Sequence, residues 1–404
     1  MDSSASTKRA FFWTHILNIP FWAIYNMLFM ILYRELQATP LQIVLFMTLN
    51  PVASIFSLYW SHYVQNRPDR LKGNIIWAGI LGHLPFLAAP WVDSPWFFIF
   101  SSALYMLLTR GVIPAWMELF RLKMPGLSGR KLFAMASSLS YVGSALFPFF
   151  FGWLMDDCAF AWRWIIFSAG CLSLTAVFFQ YSITLDVSGV ETEETFSWTK
   201  PWFTVVELLQ SRPDFLRFQM GFMLGGFGLM IVKPAMPVYF SDALHISYTE
   251  LGVAIALCKG VGYALTSSYW ADLFGRVNIF RFISLVTLLA AFYPLFLISA
   301  AAFPVLFYVA WLGYGVMQGG SEMAWKMSGA VFSKNADSSS FTSANILMVG
   351  LRGCLAPPLG GLMVSYGLTI ETLLVGSFVC FAAAVAMKLS EKRASSFLFD
   401  TNSR

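Results

Sequence analysis

The sequence predicts an all-α polytopic membrane protein, with 12 transmembrane helices divided between two six-helix bundles. Three observations support this prediction: a low content of charge, a series of long apolar runs, and landmarks of the first half that recur in the second. Of the 404 residues, 58% are apolar and 12% are charged, whereas soluble proteins carry about 25% charged residues. The chain is therefore expected to lie in a lipid bilayer.

Twelve apolar runs have roughly the 20 residues that a helix needs to cross the hydrocarbon layer. They are 10–32, 40–61, 74–92, 95–117, 133–155, 161–185, 214–240, 248–271, 279–300, 303–327, 341–366 and 370–390. No run alternates apolar and polar residues as barrel strands do, and lipid offers no partner for open backbone groups. The runs are therefore predicted to be helices.

The placement of basic residues predicts the orientation of the chain. With the N-terminus in the cytoplasm, the internal segments hold 20 of the 26 lysines and arginines, and the external segments hold only Arg34 and Arg163. This is the positive-inside pattern, so both termini are predicted to be cytoplasmic. The pattern also explains the net charge of +5 without a nucleic-acid partner. The absence of Asn-x-Ser/Thr sequons fits a bacterial inner membrane, the predicted location.

Landmarks of the first half return 207 to 210 residues later. Tyr59-Trp60 returns as Tyr269-Trp270, and Pro148 returns as Pro357. Between the halves lies the longest polar interval. We therefore expect an N-terminal bundle at 1–185, a cytoplasmic linker at 186–213 and a C-terminal bundle at 214–404, related as a parallel repeat.

The stretch SSYWADLFGR at 267–276 resembles the signature loop of the major facilitator superfamily, a group of membrane transporters. The matching residues are Ser268, Asp272, Gly275 and Arg276. In the first half His62 stands in the place of the aspartate, and Arg67 is the remaining match. AWRWIIFSAG at 161–170 and APPLGG at 356–361 are also similar to family motifs. The resemblance covers nearly the whole chain without assigning a subfamily, and it implies secondary transport by rocking of the two bundles.

The resemblance implies a gating latch on the cytoplasmic side, made by Asp272, Gly275, Arg276 and Arg67. In this family the position of Asp272 faces the start of the fifth helix, here near Arg130. A carboxylate is favoured at a helix N-terminus, where unpaired amide groups carry partial positive charge. The alternative is that Asp272 and Arg276 form only a solvated turn.

Four basic residues lie inside predicted spans, where charge is costly and normally faces a cavity or a partner. They are Arg110, Lys233, Lys259 and Arg352; Glu322 is the only acid well inside a span. In the family, the helices that carry these residues line the central cavity. An excess of positive charge there predicts a small anionic substrate, since arginine suits carboxylates and phosphates and lysine adds a point charge.

Each charged residue also has a structural interpretation. Arg110 could pair with Glu322, and Lys233, which precedes Pro234, could extend to the membrane interface. Glu322 could form a local helical pair with Lys326.

Neutral polar residues of the spans form a second, weaker group of candidates for the cavity. They are His15, Asn18, Asn26, Thr48, Asn50, Ser137, Ser140, Tyr141 and Gln318. The glycine-rich run GGFG at 225–228 allows either bending during gating or close helix packing.

No phosphate-binding glycine loop, catalytic triad, paired carboxylates or His/Cys metal set occurs, so the chain is predicted to be neither an enzyme nor dependent on a cofactor. The predicted protein is a monomer in the lipid bilayer. Its transport is coupled either to a proton, with Glu322 as carrier, or to a counter-anion. Two alternatives are a proton-coupled exporter of amphipathic compounds, suggested by the aromatic content, and a non-transporting membrane protein on the same fold.

Overall fold

A computed structural model describes residues 3–66, 70–123, 127–184, 199–333 and 339–401. Within these ranges the chain is helical, with short turns and no strand. Within the described residues, each predicted span overlaps a helix or a helix broken by one or two short irregularities. The prediction of an all-α membrane fold is therefore confirmed.

The helices of the first half follow the predicted spans closely. They are α1 (Ser3–Leu17), α2 (Ile19–Tyr25), α3 (Leu28–Arg34), α4 (Pro40–Asn66), α5 (Leu71–His83) with a 3₁₀ extension (Leu84–Trp91), α6 (Pro95–Lys123), α7 (Leu127–Asp157) and α8 (Ala161–Tyr181). The first span is divided into α1, α2 and α3. Pro20 lies at the start of α2 and lacks the amide hydrogen that a continuous helix would use.

The helices of the second half include two π-helical segments. They are α9 (Lys200–Ser211), α10 (Pro213–Val232), α11 (Ala235–Val238) with a π-turn (Tyr239–Ala243), α12 (Tyr248–Val253) with a π-segment (Ala254–Lys259), α13 (Gly260–Arg276), α14 (Ile279–Ser299), α15 (Val305–Ser333), α16 (Ser339–Ser365) and α17 (Thr369–Thr401).

Eight helical segments among the described residues are long and apolar enough to cross a membrane. They are Ser6–Arg34, Pro95–Ile113, Ala161–Tyr181, Pro213–Ala243, Tyr248–Arg276, Ile279–Ser299, Ser340–Ser365 and Thr369–Glu391. Many of their large apolar side chains are exposed, among them Phe178 and Phe378. Apolar exposure of this extent is expected where lipid replaces water as the solvent.

The contacts divide the chain into two units. Unit 1 comprises Met1–Phe196 and Ile246–Ala256, and unit 2 comprises Ser197–His245 and Leu257–Arg404. The division therefore groups the start of the eighth span with the first half, whereas the sequence places that segment in the C-terminal bundle. It also falls inside the predicted linker, of which 200–211 form α9.

Helices α7 and α12 of unit 1 make backbone contact at two glycines. A side chain at Gly152 would meet the backbone of Tyr248, and one at Gly252 would meet the backbone of Pro148. Glycine permits such an approach because it has no Cβ.

The N-terminus of α12 is closed by side chains of unit 1. Asp156 accepts hydrogen bonds from the amides of Tyr248 (2.9 Å) and Thr249 (2.7 Å), which have no partner inside the helix. Ser247 and Glu250 add a reciprocal capping box. The Tyr248 hydroxyl donates to Glu35 at 3.0 Å.

Unit 2 also uses glycines where its helices touch. A side chain at Gly228 on α10 would meet the carbonyl of Gly376 on α17, and one at Gly262 on α13 would meet the carbonyl of Leu312 on α15. These contacts bring the helix backbones together around the polar side chains of the unit.

Candidate functional site

The polar residues of unit 2 converge on one cavity of about 260 Å³. Its walls come from α10, α14, α15 and α16. The charged residues of the wall are Lys233, Arg352 and Glu322. Two of the four predicted basic candidates and the predicted acid therefore line the same space, although they are 30 to 119 residues apart in the sequence.

Lys233 is placed by a break between helices. It follows the last residue of α10 and precedes Pro234, which interrupts the helical hydrogen bonding. Its side chain is partly buried in the wall of the cavity, and the alternative in which it extends to the membrane interface stays open. The positive charges of Arg352 and Lys259 repel the charge of Lys233.

Arg352 lies across the backbone of α10. Its Nη1 donates to the carbonyl of Phe222 at 3.2 Å, and its guanidinium carbon is 5.7 Å from the centre of the Phe222 ring. Its Nε is buried and has no hydrogen-bond partner among the described residues. No carboxylate of the described part of the chain forms an ion pair with Arg352 or Lys233.

Lys259 lies at the edge of this group, at the end of the π-segment. Its ammonium is 5.5 Å from the centre of the Tyr314 ring, and Tyr314 itself lines the cavity. Its charge interacts favourably with that of Glu322. Glu322 accepts a hydrogen bond of 2.8 Å from the hydroxyl of Tyr263.

Glu322 therefore accepts a hydrogen bond from Tyr263 and interacts electrostatically with Lys259. The predicted pair of Glu322 with Lys326 involves a side chain outside the described residues. Of the neutral candidates in the second half, Gln318 lines the cavity together with Ser321 and Thr287.

Arg110 is placed in unit 1, where its hydrogen bonds go to a neutral partner. Both Nε (3.0 Å) and Nη2 (2.5 Å) donate to Oδ1 of Asn50 on α4. Asn50, a predicted polar candidate, thus accepts hydrogen bonds from Arg110, a predicted basic candidate. The amide orients the guanidinium without neutralising its charge.

Unit 1 contains a cavity of its own, of about 250 Å³, and the described residues that line it include no lysine, arginine, aspartate or glutamate. His15, Asn18 and Ser140, three of the predicted candidates, line it. Asn26, Thr48 and Asn50 do not, and the side chains of Ser137 and Tyr141 lie outside the described residues.

Helices α5 and α8, which form the third and sixth predicted spans, supply polar groups to this cavity that sequence reasoning missed. Oδ1 of Asn18 is 3.0 Å from Nε2 of His83 and accepts a hydrogen bond of 3.0 Å from Ser173. Gln180 donates to Thr14 at 3.1 Å, while its buried Oε1 has no partner among the described residues. Ser173 and Gln180 are seven residues apart on one face of α8, and this spacing was the available signal.

The residues of the predicted latch lie on α13 instead of in a loop. Asp272, Gly275 and Arg276 are exposed in the last two turns of this helix, and the turn follows at Val277. The prediction of a loop at 272–276 is therefore wrong, because the helix continues through the glycine. Arg67 and the side chain of Arg130 lie outside the described residues, and the latch itself stays a prediction.

The glycines of the GGFG run have different neighbours. A side chain at Gly225 would meet Thr287, one at Gly226 would meet Arg352, and one at Gly228 would meet α17. Close packing therefore accounts for two of the glycines, and the third faces a candidate binding residue.

Among the described residues no group of three or more His, Cys, Asp or Glu side chains could hold a metal ion. Within the described part of the chain, the cavity of unit 2 offers two cations without an ion pair, one acid, hydroxyl groups and aromatic rings. These groups can bind an anion by charge-assisted hydrogen bonds.

Comparisons with known proteins agree with this fold. The nucleoside transporter NupG matches with a TM-score of 0.70 at 14% identity, covering 96% of this chain and 99% of that chain. A POT family transporter in complex with 5-aminolevulinic acid matches with a TM-score of 0.72 at 10% identity, covering 96% of each chain. At these identities the likeness concerns the fold alone. No curated protein matches the chain in sequence.

The family is established by the sequence itself. The family model described as Major Facilitator Superfamily matches residues 11–266, which is more than half of the chain. The resemblance at 267–276, the repeated landmarks and the helices of the structure all agree with that match. The chain belongs to the Major Facilitator Superfamily of transporters.

Proposed function

We propose that this protein is a secondary transporter that moves a small organic anion, such as a carboxylate or a phosphate ester, by alternating access. The observation that carries the proposal is the joint exposure of Lys233 and Arg352 to one cavity without an ion pair among the described residues. Unpaired charge at membrane depth is costly, so the cavity favours a guest that neutralises it.

The charge balance of the cavity supports an anion and disfavours a cation. Glu322 is the one acid of the wall among the described residues, and Lys259 and the Tyr263 hydroxyl already interact with it. The charges of Lys233 and Arg352 remain for the substrate. We propose separate roles for the two residues: the guanidinium presents directed N–H groups, and the ammonium is a less directional charge beside it.

Arg110 is proposed as a further binding residue, held by Asn50 with its charge intact. Glu322 is proposed as the proton carrier if transport is coupled to protons; a counter-anion would need no such group. We place the protein in a bacterial plasma membrane as a monomer, with both termini in the cytoplasm, on the basis of the positive-inside pattern.

A neutral, hydroxyl-bearing cargo is the second candidate. The cavity of unit 1 is lined by uncharged polar side chains and two tryptophans, Trp22 and Trp116. Side chains of this kind bind hydroxyl and amide groups, and one structural neighbour is described as a nucleoside transporter.

Uptake into proteoliposomes distinguishes these candidates. Labelled dicarboxylates, sugar phosphates, nucleotides, amino acids and uncharged nucleosides are supplied separately, with protein-free liposomes as the control. The proposal expects uptake of at least one anion class and its loss in Arg352→Ala. Uptake of nucleosides alone, unaffected by Arg352→Ala, would refute the anion and support the neutral cargo.

A further inference from the structure

Gly226 faces the guanidinium of Arg352 directly. A methyl group at position 226 would overlap Nη1 and Cζ of Arg352 and would lie 2.8 Å from Nε. The carbonyl that accepts from Nη1 belongs to Phe222, one helical turn earlier on α10. The guanidinium therefore lies against α10 in a groove that exists because residue 226 has no side chain.

This groove has a different role from the neighbouring glycine contacts. A side chain at Gly225 or Gly228 would press on the short side chain of Thr287 or on the backbone of Gly376, which cannot easily move aside. Gly226 faces the far end of a long charged side chain that lines the cavity. A larger residue at 226 would thus move the charge and leave the helix packing in place.

We propose that Gly226 is a positioning residue that sets which anions fit the cavity of unit 2. It lets Arg352 lie back against α10, so that the space of about 260 Å³ beside Lys233 stays open to the substrate. A side chain at 226 pushes the guanidinium into that space and breaks its bond to Phe222. This inference rests on the proposed function for its substrate, and on the geometry alone for the position of Arg352.

The substitution Gly226→Ala tests the transport consequence. The overlapping atoms belong to a flexible side chain, so the protein is expected to fold normally. The displaced guanidinium should lose its charged hydrogen bond to the transported anion. KM for that anion should therefore rise about 10- to 100-fold, with kcat nearly unchanged. Larger anions of the same class should lose more affinity than smaller ones, because the displaced guanidinium occupies part of the cavity.

Two further variants separate positioning from general damage. Gly313→Ala on α15 is the matched control, since a side chain there meets no atom within 4 Å. Arg352→Lys removes the guanidinium, so adding Gly226→Ala to that variant should change KM little. A KM in Gly226→Ala that equals the wild-type value for large and small anions would overturn the inference.

A chemical readout makes the position of Arg352 testable without transport. Phenylglyoxal modifies accessible arginines, and peptide mass spectrometry measures the modified fraction at Arg352, with Arg110 as internal reference. Gly226→Ala should raise the fraction at Arg352 severalfold and leave Arg110 unchanged. If the fraction rises but the wild-type protein moves no anion, the positioning stands and the proposed cargo is refuted. An unchanged fraction would refute the positioning.

Discussion

Lys233 and Arg352 face the same cavity of unit 2, and neither forms an ion pair with a described carboxylate. They lie on different helical segments, and the charge of Arg352 acts on Lys233. Two like charges at membrane depth repel one another and lose hydration. An arrangement of this kind is costly when empty, and the anion that we propose as substrate would remove the cost.

Replacing Lys233 by methionine should therefore separate stability from function. Lys233→Met keeps the length of the side chain and removes an unpaired charge, which should stabilise the substrate-free protein by about 2 kcal/mol. The same change should abolish anion uptake. Thermal unfolding in detergent and uptake into proteoliposomes measure the two effects. Lys388→Met is the control, because Lys388 is exposed and pairs with Glu391 at 2.9 Å. A variant with lower stability and full uptake would contradict the role assigned to Lys233.

Asn50→Asp tests whether the charge of Arg110 serves the substrate. The new carboxylate would replace the amide oxygen that accepts both hydrogen bonds from Arg110 and would neutralise the guanidinium in place. If that charge attracts the anion, uptake should fall about tenfold, an effect of roughly 1.4 kcal/mol. Asn50→Ala, which removes the bonds but keeps the charge, should reduce uptake less. Equal uptake in Asn50→Asp and the wild type would make Arg110 a structural residue.

Asp156→Asn should loosen the start of α12. The carboxylate accepts from the amides of Tyr248 and Thr249, and loss of a helix cap typically costs about 1 kcal/mol. Asp157→Asn is the neighbouring control, because Asp157 is exposed and its described hydrogen bond comes from Cys158. Hydrogen exchange of residues 248–253 should accelerate in the first variant and stay unchanged in the second. The same rate in both variants would show that Asp156 does not hold the helix.

Crowded and uncrowded glycines of the second half should respond differently to substitution by alanine. Gly228→Ala would press a methyl group on the carbonyl of Gly376 and on Cys380, and overpacking of this type costs about 1–3 kcal/mol. Gly313→Ala has free space and should be neutral. Melting temperatures of the two variants provide the comparison. Equal melting temperatures would mean that α10 can move away from α17 to make room for the methyl group without loss of stability.

The predicted latch is testable although its partner lies outside the described residues. Asp272→Asn removes the carboxylate from the last turns of α13, where the side chain is exposed. If Asp272 holds a closed state, labelling of single cysteines on the two faces of the membrane should shift in opposite directions. Asp157→Asn is the control, since it makes the same change of charge at another exposed aspartate. An unchanged labelling pattern would reduce Asp272 to a solvated helix end.

Most of the fold could be predicted from the sequence because membrane helices are recognisable by their length and apolarity. The irregularities could not. The π-segment at Ala254–Lys259 leaves the apolar run intact. The interruption beside Asn18 does so too, and Pro20 alone does not show whether a span is broken or only bent. The helix at 272–276 was missed because the apolar run ends at 271 and the stretch resembles the signature loop of the family.

The candidate site was predicted in part, and the reason lies in the type of residue. Buried charge is rare enough to select Lys233, Arg352 and Glu322 without coordinates. Neutral groups are common in membrane helices, so His83 could not be distinguished from a packing residue, and the seven-residue spacing of Ser173 and Gln180 was a weak signal. The role of Gly226 requires the rotation of α10 relative to α16, and no pattern within one helix contains that angle.

Binding of anions to the purified protein tests the central claim most directly. Thermal unfolding is followed with each anion class and with uncharged nucleosides, for the wild type, Lys233→Met and Arg352→Ala. We expect one class of anion to raise the melting temperature of the wild type. The same anion should leave the melting temperatures of Lys233→Met and Arg352→Ala unchanged. Stabilisation of all three proteins by the same anion, or of the wild type by nucleosides alone, would contradict an anion site at Lys233 and Arg352.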